Sequence, residues 1–153
     1  MAAEEGKNKS KNAKYCYGGN YRRNHKTTKF DTLTLANKLK HAVSVYVMNE
    51  KRVPKRWRYI NGKPAIDYAR TIRDYIVLAN GTWLNKNSED ENSKRKELQQ
   101  KALSYCNILQ MQLTDICEEC EGATEENMGD ITDMLNSLTG KIINWIKSDS
   151  IQA

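Results

Sequence analysis

The chain has 153 residues, a net charge of +6 and 39% hydrophobic residues, lean against the roughly 45–50% usual for globular proteins but enough for one core. No apolar run approaches the roughly 18 residues of a membrane span, the charged N-terminus has no apolar segment of the secretory kind, and 4 Cys are too few for a disulfide scaffold, so a cytoplasmic protein is expected. Charge is unevenly placed: residues 1–60 hold 15 Lys and Arg against 4 acids, and residues 61–153 hold 10 against 15. That polarity points the first part at an anion, either nucleic acid or an acidic protein surface.

Residues 1–29 read as a basic tail expected to be disordered, and residues 30–150 as one helical domain. Met1 to Lys14 is rich in Lys, Asn and Ser, with too little apolar surface to offset the entropy of ordering. Tyr15-Cys16-Tyr17-Gly18-Gly19-Asn20-Tyr21-Arg22-Arg23-Asn24-His25-Lys26 mixes aromatic rings with cations. The mixture suits stacking on unpaired bases while Arg22 and Arg23 meet phosphates; an ordinary solvated tail is the competing reading.

A first helix starts near Asp31 or Thr32, which supply capping oxygens, and buries Leu35, Leu39, Val43, Tyr46 and Val47. It ends near Asn49, ahead of Pro54. The loop that follows, Lys51-Arg52-Val53-Pro54-Lys55-Arg56-Trp57-Arg58-Tyr59, is dominated by cations. Trp57 and Tyr59 are expected to anchor it, leaving the cations outward. Asn61-Gly62 reads as a turn, and Pro64 suits the first position of a second helix over 64–85. On that helix Ile66, Ala69, Arg73, Ile76, Asn80 and Trp83 recur at three and four, widened by Ala65, Ile72, Leu78 and Ala79. Arg73 and Asn80 on a packing stripe need partners, which together with the lean core predicts an oligomer.

A polar turn with Ser88 or Ser93 as cap leads to a third helix over 90–120. Its stripe is Leu98, Ala102, Tyr105, Cys106, Leu109, Leu113, Ile116 and Cys120, and Glu89, Asp90 and Glu91 favour the positive end of its dipole. Gly122 ends it. Thr124 caps a fourth helix in which Met128, Ile131, Leu135, Leu138, Ile142 and Trp145 give the cleanest heptad of the chain. No alternating strand pattern of useful length occurs. The fold class is therefore all-α, an antiparallel up-down-up-down four-helix bundle.

Catalytic chemistry finds little support. No glycine loop of the phosphate-cradling kind is present, and neither His25 nor His41 has a carboxylate or nucleophile nearby in sequence. Cys117-Glu118-Glu119-Cys120 has the spacing of zinc and redox pairs. It lacks a second ligand pair, and it sits at a helix C-terminus among acids, where a thiolate is disfavoured. Two small core residues are the simpler reading, and no cofactor or metal is expected.

Four stretches carry a resemblance to a known family: the Pro-Lys-Arg-aromatic loop, the second-helix run Ala-Arg-Thr-Ile-Arg-Asp-Tyr-Ile-Val-Leu-Ala-Asn, and the segments Lys94 to Tyr105-Cys106 and Ile142 to Asp149. Over residues 33–149 the chain resembles the four-helix-bundle proteins related to the ribosomal intervening-sequence protein. Within them it looks most like the accessory variability determinants of diversity-generating retroelements. The resemblance implies a basic bundle, assembled as a pentameric ring, that binds the retroelement's reverse transcriptase and structured template RNA without a catalytic centre of its own. It makes Lys51, Arg52, Lys55, Arg56 and Arg58 the first candidates for contact with RNA or polymerase, and Arg70 and Arg73 the second. Arg70 has Asp67 and Asp74 within reach on its own helix. The alternative is a protein-only scaffold, or a ribosome-associated bundle, whose basic loop docks an acidic partner.

Overall fold

A computed structural model describes residues 29–84 and 87–152. Among these residues the chain is entirely helical, with four long helices: α1 (Lys29–Met48), α2 (Lys63–Gly81), α3 (Glu89–Glu119) and α4 (Gly129–Gln152). The expected tail, with Arg22 and Arg23, lies outside the described residues.

Each helix contributes a stripe to one core. On α1 it is Ala36, Leu39, Val43, Tyr46 and Val47; on α4, with the preceding Met128, it is Ile131, Leu135, Leu138 and Ile142. On α3 the buried positions Ala102, Cys106, Leu109, Leu113 and Ile116 step by four and three. α2 packs most extensively on α3, and next on α1; α4 closes against both α1 and α3. The α2–α3 pair runs in opposite directions. Asn61, just before α2, is bonded by Gln112 near the far end of α3 (3.3 Å), and Thr82, just after α2, is bonded by Arg95 near the start of α3 (2.8 Å).

Three local expectations are corrected. Asn61-Gly62 is not a turn. Pro54 starts a helical turn over Lys55–Trp57 that continues through a π-helical stretch, Arg58–Gly62, into α2 without a break. Gly62 lets this stretch pack closely on α1, because a Cβ there would come within 2.4 Å of Val47 Cγ1. Second, the α2 seam is Ala65, Ala69, Ile72, Ile76 and Ala79, and the helix stops at Gly81. Asn80 and Leu78 are exposed and Trp83 is 83% exposed, so Asn80 and Trp83 are not on the seam. The seam is narrow and Ala-rich because α2 lies close to two helices at once. Third, regular α4 begins at Gly129, later than Thr124. Thr124 still caps, in a separate turn: Asn127 N–H donates to Thr124 Oγ1 (3.1 Å), and Thr124 N–H to Asn127 Oδ1 (3.0 Å). Ser88, not Ser93, caps α3, accepting from the Glu91 amide.

Candidate nucleic-acid interface

The connection from α1 to α2 starts as a tight turn in which Arg52 and Val53 N–H groups donate to the Asn49 carbonyl at 3.0 and 2.9 Å. Val53 is fully buried and fastens the loop to the core. The second fastening is Arg58. Its Nη2 donates to the Met48 carbonyl (2.9 Å) and its Nε to the Val53 carbonyl (3.3 Å). A cation thereby satisfies an orphan carbonyl at the negative end of the α1 dipole.

A third fastening comes from the α3–α4 connection. A Cβ on Gly122 would lie 1.7 Å from the Lys51 carbonyl oxygen, so only glycine lets the two backbones meet. Tyr46 Oη donates to Asn127 Oδ1 (2.5 Å), Asn127 Nδ2 donates to the Gly122 carbonyl (2.9 Å), and the Arg52 guanidinium lies 4.7 Å from the Tyr46 ring centroid. Burial raises the Tyr46 phenol above its usual pKa. At the π-helical stretch, Asn61 is 5% exposed, donates to Glu119 Oε2 and accepts from Gln112.

The loop candidates therefore divide. Lys51, Lys55 and Arg56 are exposed. Arg52 is half-buried on Tyr46, and Arg58 spends two of its five donors on backbone. The aromatics divide as well. Trp57 packs partly against the core with the Arg56 guanidinium 5.9 Å from its ring, but Tyr59 is 79% exposed and does not anchor the loop. The extra residue of the π turn carries Tyr59 and Ile60 outward.

Arg70 and Arg73 do not join this cluster. Arg70 lies about 18 Å further along the helix than Arg58, at 1.5 Å per residue. With Lys63 it flanks Asp67, at 4.0 and 2.9 Å. The bond that Lys63 donates to Asp67 raises the Lys63 pKa. Arg73 is held by its neighbour Asp74 at 2.9 Å.

At the opposite end of the molecule is a cluster that the hydropathy pattern does not disclose. Arg95, 5% exposed, donates through Nε to Asp149 Oδ2 (2.6 Å), through Nη2 to Asp149 Oδ1 (3.2 Å) and through Nη1 to the Thr82 carbonyl (2.8 Å). Gln99 Nε2 donates to the same carboxylate (2.8 Å), and the Trp145 ring centroid lies 5.2 Å from the guanidinium. The signal is present in the spacing. Three and seven residues before Ala102 stand Gln99 and Arg95, and four residues after Trp145 stands Asp149.

The thiols sit in environments that disfavour the thiolate. Burial pushes Cys106 up to about 11; Cys117 and Cys120 are also raised, by burial first and then by Glu125 and Glu119 respectively. His41 is exposed on α1. Among the described residues no group of three or more His, Cys, Asp or Glu is placed to hold a metal, and no helix is long and apolar enough to cross a membrane. No family model, curated protein or solved structure matches the chain.

Proposed function

We propose that the protein is a non-catalytic, nucleic-acid-binding accessory subunit of the diversity-generating-retroelement kind. On this reading it is an antiparallel up-down-up-down bundle that binds a reverse transcriptase and its structured template RNA in the cytoplasm, as a homo-oligomer that the resemblance makes pentameric. The observation that carries the reading is the α1–α2 connection. Lys51, Lys55 and Arg56 are exposed on a loop fastened by Val53, Arg58 and the Gly122 contact, beside the exposed ring of Tyr59. A fastened cluster meets phosphates at less ordering cost than a free segment, and an exposed ring beside it offers a stacking platform. Consecutive helices in contact, with α1 and α4 also in contact, support the bundle topology.

The test is a titration of a structured RNA hairpin at several salt concentrations. Replacing Lys51, Lys55 and Arg56 together with Ala weakens binding and lowers the magnitude of the logarithmic salt slope by about 0.7–0.9 for each phosphate no longer neutralised, at unchanged helix content. Unchanged affinity and slope would remove the loop from the interface. Two further checks address the finer claims: a monomeric mass by sedimentation at micromolar concentration argues against the ring, and a reverse-transcriptase gene with near-identical repeats beside this gene supports the retroelement role.

A protein-only scaffold is favoured by one observation. The acidic connection containing Glu121, Glu125 and Glu126 meets the basic loop through Gly122, which lowers the positive potential offered to RNA. On that reading the hairpin does not bind at physiological salt.

A further inference from the structure

Between Lys101 and Lys141 the sequence holds eight Asp and Glu and no Lys, Arg or His. All eight acids are exposed, and none is in an ion pair among the described residues. Carboxylates gathered this way repel one another, and cations brought among them relieve the repulsion. Three of them, Glu118, Glu125 and Asp133, form the rim of a groove of about 500 Å³ between α3 and α4, a volume in the range of ligand-accepting clefts. The floor of the groove is apolar. Leu113, Ala123 and Met128 are buried there, and the half-buried thiol of Cys117 lies 3.7 Å from Met128 Sδ. Thioether and thiol are soft surfaces that adapt to the side chain packed on them.

The lining dictates the occupant. An apolar floor takes apolar side chains, and an uncompensated carboxylate rim takes Lys or Arg beside them and excludes acids. The occupant must also satisfy its own backbone. Among the described residues there is no strand edge to pair an extended peptide, so its N–H and C=O groups would meet the apolar floor without partners. A helix keeps those bonds internal. Along α3 the lining runs from Gln110 to Glu118, about 12 Å, which matches two turns of a docked helix. We infer that the α3–α4 groove is the docking site for a cationic amphipathic helix of a partner protein, its apolar stripe on Leu113, Cys117 and Met128 and its flanking Lys or Arg on Glu118, Glu125 and Asp133. This surface is opposite in charge to the basic loop, so the inference does not depend on whether that loop binds RNA.

The test titrates the full chain with a fluorescein-labelled peptide of leucine and lysine, about 15 residues long, with leucines at i, i+3, i+4 and i+7. A second peptide has the same composition in an order that leaves no apolar stripe. By fluorescence anisotropy at physiological salt the striped peptide is expected to bind at least about tenfold more tightly than the control. A variant carrying Glu118→Gln, Glu125→Gln and Asp133→Asn, whose changed side chains are exposed and leave the core alone, should lose about tenfold in affinity for the striped peptide at unchanged helix content. The methyl signals of Ala123 and Met128 should shift on binding, whereas replacing Lys51, Lys55 and Arg56 with Ala should leave the affinity within about twofold. Equal binding of the two peptides would reduce the groove to unspecific charge attraction and overturn the inference. Unchanged affinity in the triple variant, or unmoved Ala123 and Met128 methyls, overturns it as well. So does a dimer in sedimentation that the triple variant dissolves, because the groove is then covered by a second copy of the chain.

Discussion

Two arginines close the two ends of this molecule in related ways and with opposite exposure. Arg58 sits after α1 and donates to the carbonyl of its last residue, Met48; Arg95 donates to the carbonyl of Thr82, the residue that ends α2. Both complement a helix terminus whose carbonyls lack intrahelical partners. Around Arg58 the loop is open to water, and Lys51, Lys55 and Arg56 need no carboxylate to be accommodated. Arg95 is buried, and there a full counter-ion, Asp149, and a second donor, Gln99, are drawn in. Water screens the first set of charges, so they are free for a partner; the second set is committed to the fold. Cation density in the sequence is therefore a poor guide to which arginine is available.

The largest expected effect breaks the committed end. Asp149→Ala leaves Arg95 buried without its counter-ion and should cost about 3–5 kcal/mol in urea unfolding. A cost below about 1 kcal/mol would mean that the pair is solvated in solution.

Midway between the ends, Cys106 provides a reference that neither end should move. Its thiol is raised from 9.0 to about 11 by burial, against a smaller opposing bond from Thr139. The folded state therefore holds its proton to higher pH than the unfolded state. Stability from this group is fully present below pH 9, falls as the unfolded thiol ionises, and is lost through pH 11, about 3 kcal/mol in all. Cys106→Ala should flatten that part of the pH profile, measured by denaturant midpoints.

At the open end the effects are smaller. Arg58→Ala removes two bonds to backbone carbonyls and should cost about 1–2 kcal/mol, loosening the loop and with it any anion binding. Lys51→Ala, Lys55→Ala and Arg56→Ala should each change unfolding free energy by no more than about 0.5 kcal/mol. If Lys55→Ala destabilised the protein as much as Arg58→Ala, the division between fastening and displayed cations would be wrong.

The core is legible in the sequence wherever the stripe is made of large apolar residues. Met128, Ile131, Leu135, Leu138 and Ile142 follow from spacing alone, and all are buried. Spacing misleads where a polar residue occupies a buried heptad position. On α3 hydropathy selects Leu98, but the buried position is its neighbour Gln99, because Asp149 offers the amide a partner that hydropathy cannot register. On α2 the error runs the other way. Small Ala65, Ala69 and Ala79 form the seam, while larger Trp83 stays out. The basic loop is visible as composition, but which cations it displays depends on contacts with Met48 and Gly122, far enough apart in sequence that no local pattern links them. Asn61 resembles a turn residue for a related reason: its side chain is satisfied by Glu119 and Gln112, and so it is stable inside a helix.

The π-helical stretch Arg58–Gly62 has a consequence for how this chain could vary. Such a stretch amounts to one residue more than an α-helix needs to cover the same path. Tyr59 and Ile60, its exposed members, hold no partner in the core. Losing a single codon at either would let the stretch close as ordinary α-helix and turn the short helical turn Lys55–Trp57 by about 100° relative to α2, while Val53 and α1 stay held in the core. Lys55 and Arg56 would then point around the side of the molecule, with every cation still present in the sequence. The length of this one turn, and not the inventory of its charges, sets the direction in which the protein presents them.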